Sequence, residues 1–221
     1  MQTAKAAKPK TYPLFHISVM SGKLEGLHAI STNTKTNPYC IKQNQSADEE
    51  NICTKCYSHT MLDSYRKNMQ PALQRNSDAL SAYIHAAADL PIIIDLYFRF
   101  DAHGELINEI HFINLINIAK ANPKTSFALW TKRTDIVNKV LATGSGYIKP
   151  DNLILIYSNP KISRILDKRP KHFDRTFNNV LKHEHVEQQN CTGQKCMDCL
   201  LCYTPVSVNG VDTIVEMVKK Y

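Results

Sequence analysis

Apolar and polar positions along this chain switch between a period near two and a period near 3.6. Leu14-Phe-His-Ile-Ser-Val-Met20 has the β-branched and aromatic composition of a short strand, which Ser21-Gly22-Lys23 closes with a turn. The pattern then lapses. From Ile30 to Asn51, Ser, Thr, Asn and Gln dominate and Pro38 interrupts, predicting an irregular loop. Tyr57 to Leu90 is helical in character, with Leu73, Leu80, Tyr83 and Ile84 spaced for one apolar face and Pro71 marking a helix start or break. Ile92-Ile-Ile-Asp-Leu-Tyr-Phe-Arg-Phe100 reads as a strand buried on both faces. Apolar residues return at helical spacing from Asn108 to Ala121, stopped by Asn122-Pro123. Ser126 to Trp130 is a third strand, Asp135 to Ala142 a short helix ended by Gly144 and Gly146, and Asn152 to Ser158 a fourth strand. Beyond Lys161 the alternation fades through Phe173 and Phe177.

Strand, helix, strand, helix, strand at this spacing implies right-handed parallel crossovers. The fold class expected is α/β: a partial (βα) barrel or an open, mostly parallel sheet, since the chain is short for eight repeats. A Cys-rich metal-binding extension follows it. The expected organisation is a flexible basic lead-in over 1–12, an α/β domain over 13–180 with a Cys-bearing loop at 30–57, and the Cys-rich segment over 181–221.

All seven cysteines fall into two groups. Cys191, Cys196, Cys199 and Cys202 lie within twelve residues, the last three at Cys-x-x-Cys-x-x-Cys spacing. Such thiolates converge on one inorganic centre while the residues between them turn the backbone around it. Soft sulfur ligands select zinc or iron–sulfur over magnesium or calcium, and the triple repeat resembles the ferredoxin run that wraps a 4Fe-4S cubane, favouring iron–sulfur with zinc as the alternative. Upstream, Cys53-Thr-Lys-Cys56 is again ligand spacing, and Cys40 joins it if the loop folds back over the twelve intervening residues. Three thiolates would leave one iron open to an outside ligand; otherwise the trio takes a fourth ligand from the C-terminal set. A lone Cys-x-x-Cys also serves as a redox pair or half of a zinc site.

Composition adds a compartment and a sign. Lys and Arg number 27 against 20 Asp and Glu, for a formal charge of +7 and a pI near 9.0. That balance favours polyanions such as nucleic acid, without the dense clusters of a dedicated DNA binder. No run approaches the roughly 20 apolar residues of a membrane span, and the first ten residues lack a secretory apolar stretch. A cytoplasmic location follows, and in a reducing compartment clustered cysteines are thiolate ligands rather than disulfides.

Polar residues gather after the strands, where α/β folds place ligand-binding loops. Asp101, His103, Gly104 and Glu105 follow the second strand, with Glu105 or Asp101 placed to accept from a bound amine or hydroxyl; a polar turn with Gly104 at positive φ is the simpler reading. Thr131 and Lys132 follow the third, where Trp130 would sit in the core beside a solvated basic turn, and Ser158 ends the fourth. The histidines show no zincin spacing, and His183-Glu-His185 offers at most one extra ligand. Phosphate loops, dinucleotide fingerprints and nucleophile elbows are absent.

In combination, Phe15-His-Ile-Ser-Val, Gly22-Lys23, Cys53-x-x-Cys56-Tyr57, Phe98-Arg-Phe-Asp with Gly104-Glu105, Phe127-Ala-Leu-Trp-Thr-Lys132, Asn152 to Ser158 and Cys191 through Tyr203 resemble the phage and prophage family called gene product 88. The resemblance runs from about Pro13 to Tyr203 and implies a phage or mobile-element setting in a bacterial cytoplasm. More distantly, the chain is similar to radical S-adenosylmethionine enzymes, partial (βα) barrels with three cysteines after the first strand and a Gly-Gly-Glu-like segment after the second. That family spaces its cysteines as Cys-x3-Cys-x2-Cys with the aromatic before the last one, whereas here Cys40 is distant and Tyr57 follows Cys56. This similarity implies a three-Cys cluster on Cys40, Cys53 and Cys56 that binds S-adenosylmethionine, Glu105 as its amine ligand, Thr131, Lys132 and Ser158 in the pocket, and an auxiliary four-Cys cluster. The alternative is a non-enzymatic, metal-stapled protein that binds nucleic acid or a host protein.

Overall fold

The computed structural model describes residues 13–166, 168–181, 184 and 187–218. The N-terminal lead-in and the His183 and His185 pair lie outside them. Seven strands form one sheet in chain order: β1 (Ile17–Val19), β2 (His28–Ile30), β3 (Tyr97–Phe100), β4 (Ser126–Thr131), β5 (Leu153–Ile162), β6 (Arg175–Leu181) and β7 (Thr213–Val218). β1 pairs antiparallel with β2, and the other pairings are parallel. The sheet is open, with β1 and β7 at its edges.

Parallel strands laid down in sequence order, with crossovers of one hand, put their helices on a single face. That face holds α3 (Gln70–Ala82), α4 (Glu109–Ala121) and α5 (Thr134–Val140). Their Leu80, Phe112, Ile116, Ile136 and Val137 pack on Phe98, Phe100, Phe127, Leu129, Leu153 and Leu155. Phe100 and Phe127 stack at 4.8 Å between ring centroids, and each fully buried side chain of this size contributes about 2 kcal/mol. Alternate strand residues point the other way. Ala128, Ile154 and Ile156 meet Leu27 and Tyr203 there, joined by Trp130, Phe177, Cys196, Met197, Leu200 and Cys202. The cysteine-rich segment therefore covers the face opposite the helices. Among the described residues no helix is long and apolar enough to cross a membrane.

Several elements differ from the periodicity. The stretch from Ile30 to Asn51 is not irregular: it contains α1 (Pro38–Asn44), and its asparagines act as caps. Asn37 Oδ1 accepts from Tyr39 N at 3.0 Å, and Asn51 Oδ1 accepts from Cys53 N at 3.0 Å. The apolar run before β3 is not strand until Tyr97; Ile92, Ile94 and Leu96 are exposed. Tyr83 and Ile84, assigned to a buried helix face, fall beyond the end of α3 and are exposed. Past Lys161 the sheet continues through β6 and β7. β6 escaped notice because Arg175, Thr176, Asn178 and Asn179 are buried polar residues held by hydrogen bonds, not an apolar stripe.

Candidate metal centres and the cavity at the strand ends

The first parallel strand is β2, and the chain leaves it into the segment carrying Cys40, Cys53 and Cys56. Cys40 sits on α1, Cys53 in a 3-10 turn over Ile52–Lys55, and Cys56 at the N-cap of α2 (Tyr57–Asp63). Three asparagines hold this arrangement. Asn37 Nδ2 donates to the Glu105 carbonyl at 2.8 Å, Asn44 Nδ2 to the Cys53 carbonyl at 2.9 Å, and Asn51 Nδ2 to Gln43 Oε1 at 2.7 Å. Ile162 N donates to the Glu50 carbonyl at 2.9 Å, docking the segment onto the far end of β5.

All three cysteines line one cavity of about 180 Å³. The opposite wall comes from the strand ends: Arg99, Asp101, Gly104, Glu105, Trp130, Lys132 and Ser158. Of the residues predicted to bind a cofactor, Asp101, Gly104, Glu105, Lys132 and Ser158 therefore reach the cavity. His103 and Thr131 stand behind it. His103 is buried with Nδ1 2.7 Å from Ser58 Oγ, and burial, helped by Arg99 and Arg66, pushes it down to about 4. Thr131 is fully buried and donates its hydroxyl to Glu105 Oε1. Glu105 also accepts from Leu106 N at 2.8 Å and, on Oε2, from Lys132 N at 2.9 Å. Gly104 has φ +106, and a Cβ there would meet Thr32 Oγ1 at 2.0 Å, so the turn after β3 admits only glycine.

Lys132 lies among these groups with its ammonium donating to Ser158 Oγ at 3.1 Å. Burial works against its charge, yet the negative potential of Cys53, Glu105, Cys56 and Cys40 holds it above its ordinary range. Burial in turn pushes the Cys40 and Cys53 thiols up. Among the wall residues not singled out in the sequence is Arg99. Arg99 occupies a position in β3 that alternation turns away from the helix-side core, a charged residue between two phenylalanines that could have revealed it. Trp130 packs on the second core cluster, as expected, and also borders the cavity, with the Arg99 guanidinium 3.8 Å over its ring.

The remaining four cysteines share a second, smaller space of about 20 Å³ on the same face of the sheet. A single helical turn, α6 (Cys196–Cys199), and a reversal at Leu200 with φ +53 bring Cys202 back toward Cys196. Lys23 Nζ donates to Cys191 Sγ at 2.8 Å and pairs with Glu216, while Gln194 Nε2 donates to Cys199 Sγ at 3.3 Å. Burial pushes the Cys202 thiol up, and the Arg99 and Arg175 guanidiniums pull the other way. Arg175 is fully buried, with Nε and Nη1 lacking hydrogen-bond partners and with Cys202, Asp174 and Asp212 supporting its charge. Among the described residues no group of three or more His, Cys, Asp or Glu side chains is arranged to hold a metal ion. The thiols border space rather than close on one point.

A family model described as Gene product 88 matches residues 36–201, a span that includes α1 and β2's following loop and reaches all but the last of the seven cysteines. No curated protein and no solved structure matches the chain.

Proposed function

We propose that this chain, which belongs to the Gene product 88 family, is an iron–sulfur protein with two centres, a working one on Cys40, Cys53 and Cys56 and a smaller one on Cys191, Cys196, Cys199 and Cys202. The observation that carries the proposal is the division of the thiols. Three line a cavity of about 180 Å³ shared with polar strand-end residues, and four line a space of about 20 Å³ packed against the sheet. The donor set fits: soft sulfur ligands, N–H donors aimed at Cys191 and Cys199, and a buried guanidinium with unpartnered N–H groups facing the charge that thiolates would bring. The cavity of about 180 Å³ bordered by three thiols has room for a polynuclear cluster.

When bound, such clusters supply one-electron chemistry, and three protein thiolates leave one iron open to an outside ligand. The chain's own residues prepare the cavity for that ligand. Lys132, steadied by Ser158, offsets the charge of the thiolates. Glu105 keeps one lone pair on Oε2 beyond its bond to Lys132 N, enough to accept from an amine. A radical S-adenosylmethionine-type enzyme in the cytoplasm of a phage-carrying bacterium is the activity this geometry supports best, because three thiols, the Gly104-Glu105 turn and Lys132 meet beyond the ends of parallel strands.

Anaerobic purification with iron, sulfide and zinc analysis tests the centres, and EPR with and without S-adenosylmethionine tests the activity class. About eight iron and eight sulfide per chain, with a cluster signal that S-adenosylmethionine shifts, is the expected result. One or two zinc and no sulfide would sink the cluster proposal and leave a metal-stapled binding protein. Clusters whose signal ignores S-adenosylmethionine would remove only the enzyme class.

A further inference from the structure

Arg99 reaches the Tyr203 hydroxyl with its guanidinium but leaves its buried Nε without an acceptor. Its neighbours in β3, Phe98 and Phe100, turn into the helix-side core, so its own side chain crosses to the cavity face. Stacking on Trp130 at 3.8 Å occupies the flat side of the guanidinium and leaves its N–H edge. Nε is buried and has no hydrogen-bond partner, a deficit that costs about 1–3 kcal/mol unless an acceptor arrives. Across the same cavity, Lys132 donates to Ser158 and has further protons to give. The acids of the wall do not supply the acceptor. Glu105 accepts from Thr131, Leu106 and Lys132 N, and no bond joins its remaining Oε2 lone pair to Arg99. Asp101 Oδ1 accepts from Thr32 Oγ1 at 2.8 Å, and burial pushes this carboxyl up to about 8, leaving it uncharged at neutral pH.

We infer that the cavity binds a small organic anion, its carboxylate or phosphate received by the edge of Arg99 with Lys132 beside it. The two cations set the sign of the ligand, and a volume of about 180 Å³ sets its size as that of a metabolite rather than a polymer chain. A planar fork with one face stacked is suited to two-pronged recognition of either oxyanion. The inference concerns the cavity with its thiols unloaded, since a cluster on them would take part of its volume and of the Lys132 charge.

Trp130 is the single tryptophan of the chain, so it reports on the site directly. Full-length, chelator-treated protein is titrated with malonate and, separately, with inorganic phosphate at constant ionic strength with chloride as reference, following tryptophan emission. A saturable change is expected with at least one of them; malonate alone assigns a carboxylate, phosphate alone a phosphate. R99Q should weaken binding by about tenfold or more, and R99K by less, having lost the fork. Lys132→Gln, which leaves the Arg99 stack in place, should also weaken it, and Lys139→Gln on the exposed side of α5 should not. A response that is absent, unsaturable, or the same in R99Q and Lys132→Gln as in the native chain would overturn the inference. Iron and sulfide contents of untreated samples report on the clusters separately, so the two proposals fail independently.

Discussion

Asp101 Oδ2 and His111 Nε2 face each other at 3.6 Å with side-chain exposures of 1% and 0%, and neither atom has a hydrogen-bond partner. Burial pushes Asp101 up to about 8 and His111 down to about 3, so near neutrality a carboxylic acid lies beside a neutral imidazole. Its backbone is strained as well, with Asp101 at φ +47.

This pair sets the dependence of stability on pH. From about pH 4 to pH 8 the folded chain keeps the Asp101 proton that the unfolded chain releases, so this group lowers stability as pH rises. The buried imidazoles act oppositely. His111, and His103 at about 4, gain protons on unfolding below roughly pH 6.5, so they raise stability as pH climbs to that point. Two imidazoles outweigh one carboxyl between about pH 4 and 6.5, and above that Asp101 lowers stability, joined toward pH 8 by the buried Cys40, Cys53 and Cys202 thiols, which act in the same direction. Urea titrations should show a maximum near pH 6.5 and a decline of about 1.4 kcal/mol per unit toward pH 8, flattened in Asp101→Asn. A native profile that rises through this upper window would contradict the protonated carboxyl.

Gly104→Ala should destabilise the fold by about 2 kcal/mol or more, since a positive φ and a contact of 2.0 Å with Thr32 Oγ1 are both violated. The turn also carries Glu105, so the variant should retain less iron at the three-Cys centre. Denaturant midpoints and iron content measure the two effects; a neutral variant would mean that the turn after β3 is not held as described.

Asn37→Ala removes the cap of α1 and the tie from Nδ2 to the Glu105 carbonyl. Together these should cost about 2 kcal/mol. The loss should fall on the three-Cys centre, because α1 carries Cys40. Equal loss of iron from both centres would argue that they are not separate.

Arg175→Gln should cost about 3 kcal/mol by releasing the Thr204 carbonyl and Asn209 Oδ1, the bonds that hold the chain just after Cys202 to β6. Its iron loss should be confined to the four-Cys centre. Thermal unfolding and EPR of the remaining signal measure it, and a variant as stable as the native chain would show that the buried guanidinium is not a tether.

The two cysteine groups were legible from spacing alone, and so were β4, β5, α4 and α5, because each is a local apolar pattern long enough to show its period. Gly104-Glu105 and Lys132 were legible as polar breaks after strands. Other parts depended on partners distant in the chain. β2 spans three residues and exists by pairing with β3. β6 buries arginine, threonine and asparagine that look like loop until Thr204, Asn159 and Asn209 satisfy them. The polar stretch from Ile30 to Asn51 reads as irregular because the same asparagine side chains that favour loops also cap helices and tie backbone carbonyls, and sequence does not reveal which they do. Sequence determined which atoms are available as ligands and the order in which strands arrive. Only the tertiary structure decided that three thiols border a strand-end cavity while four lie against the sheet, and that Arg99 stacks on Trp130 in the cavity wall, because these are relations across the sheet that no local period encodes.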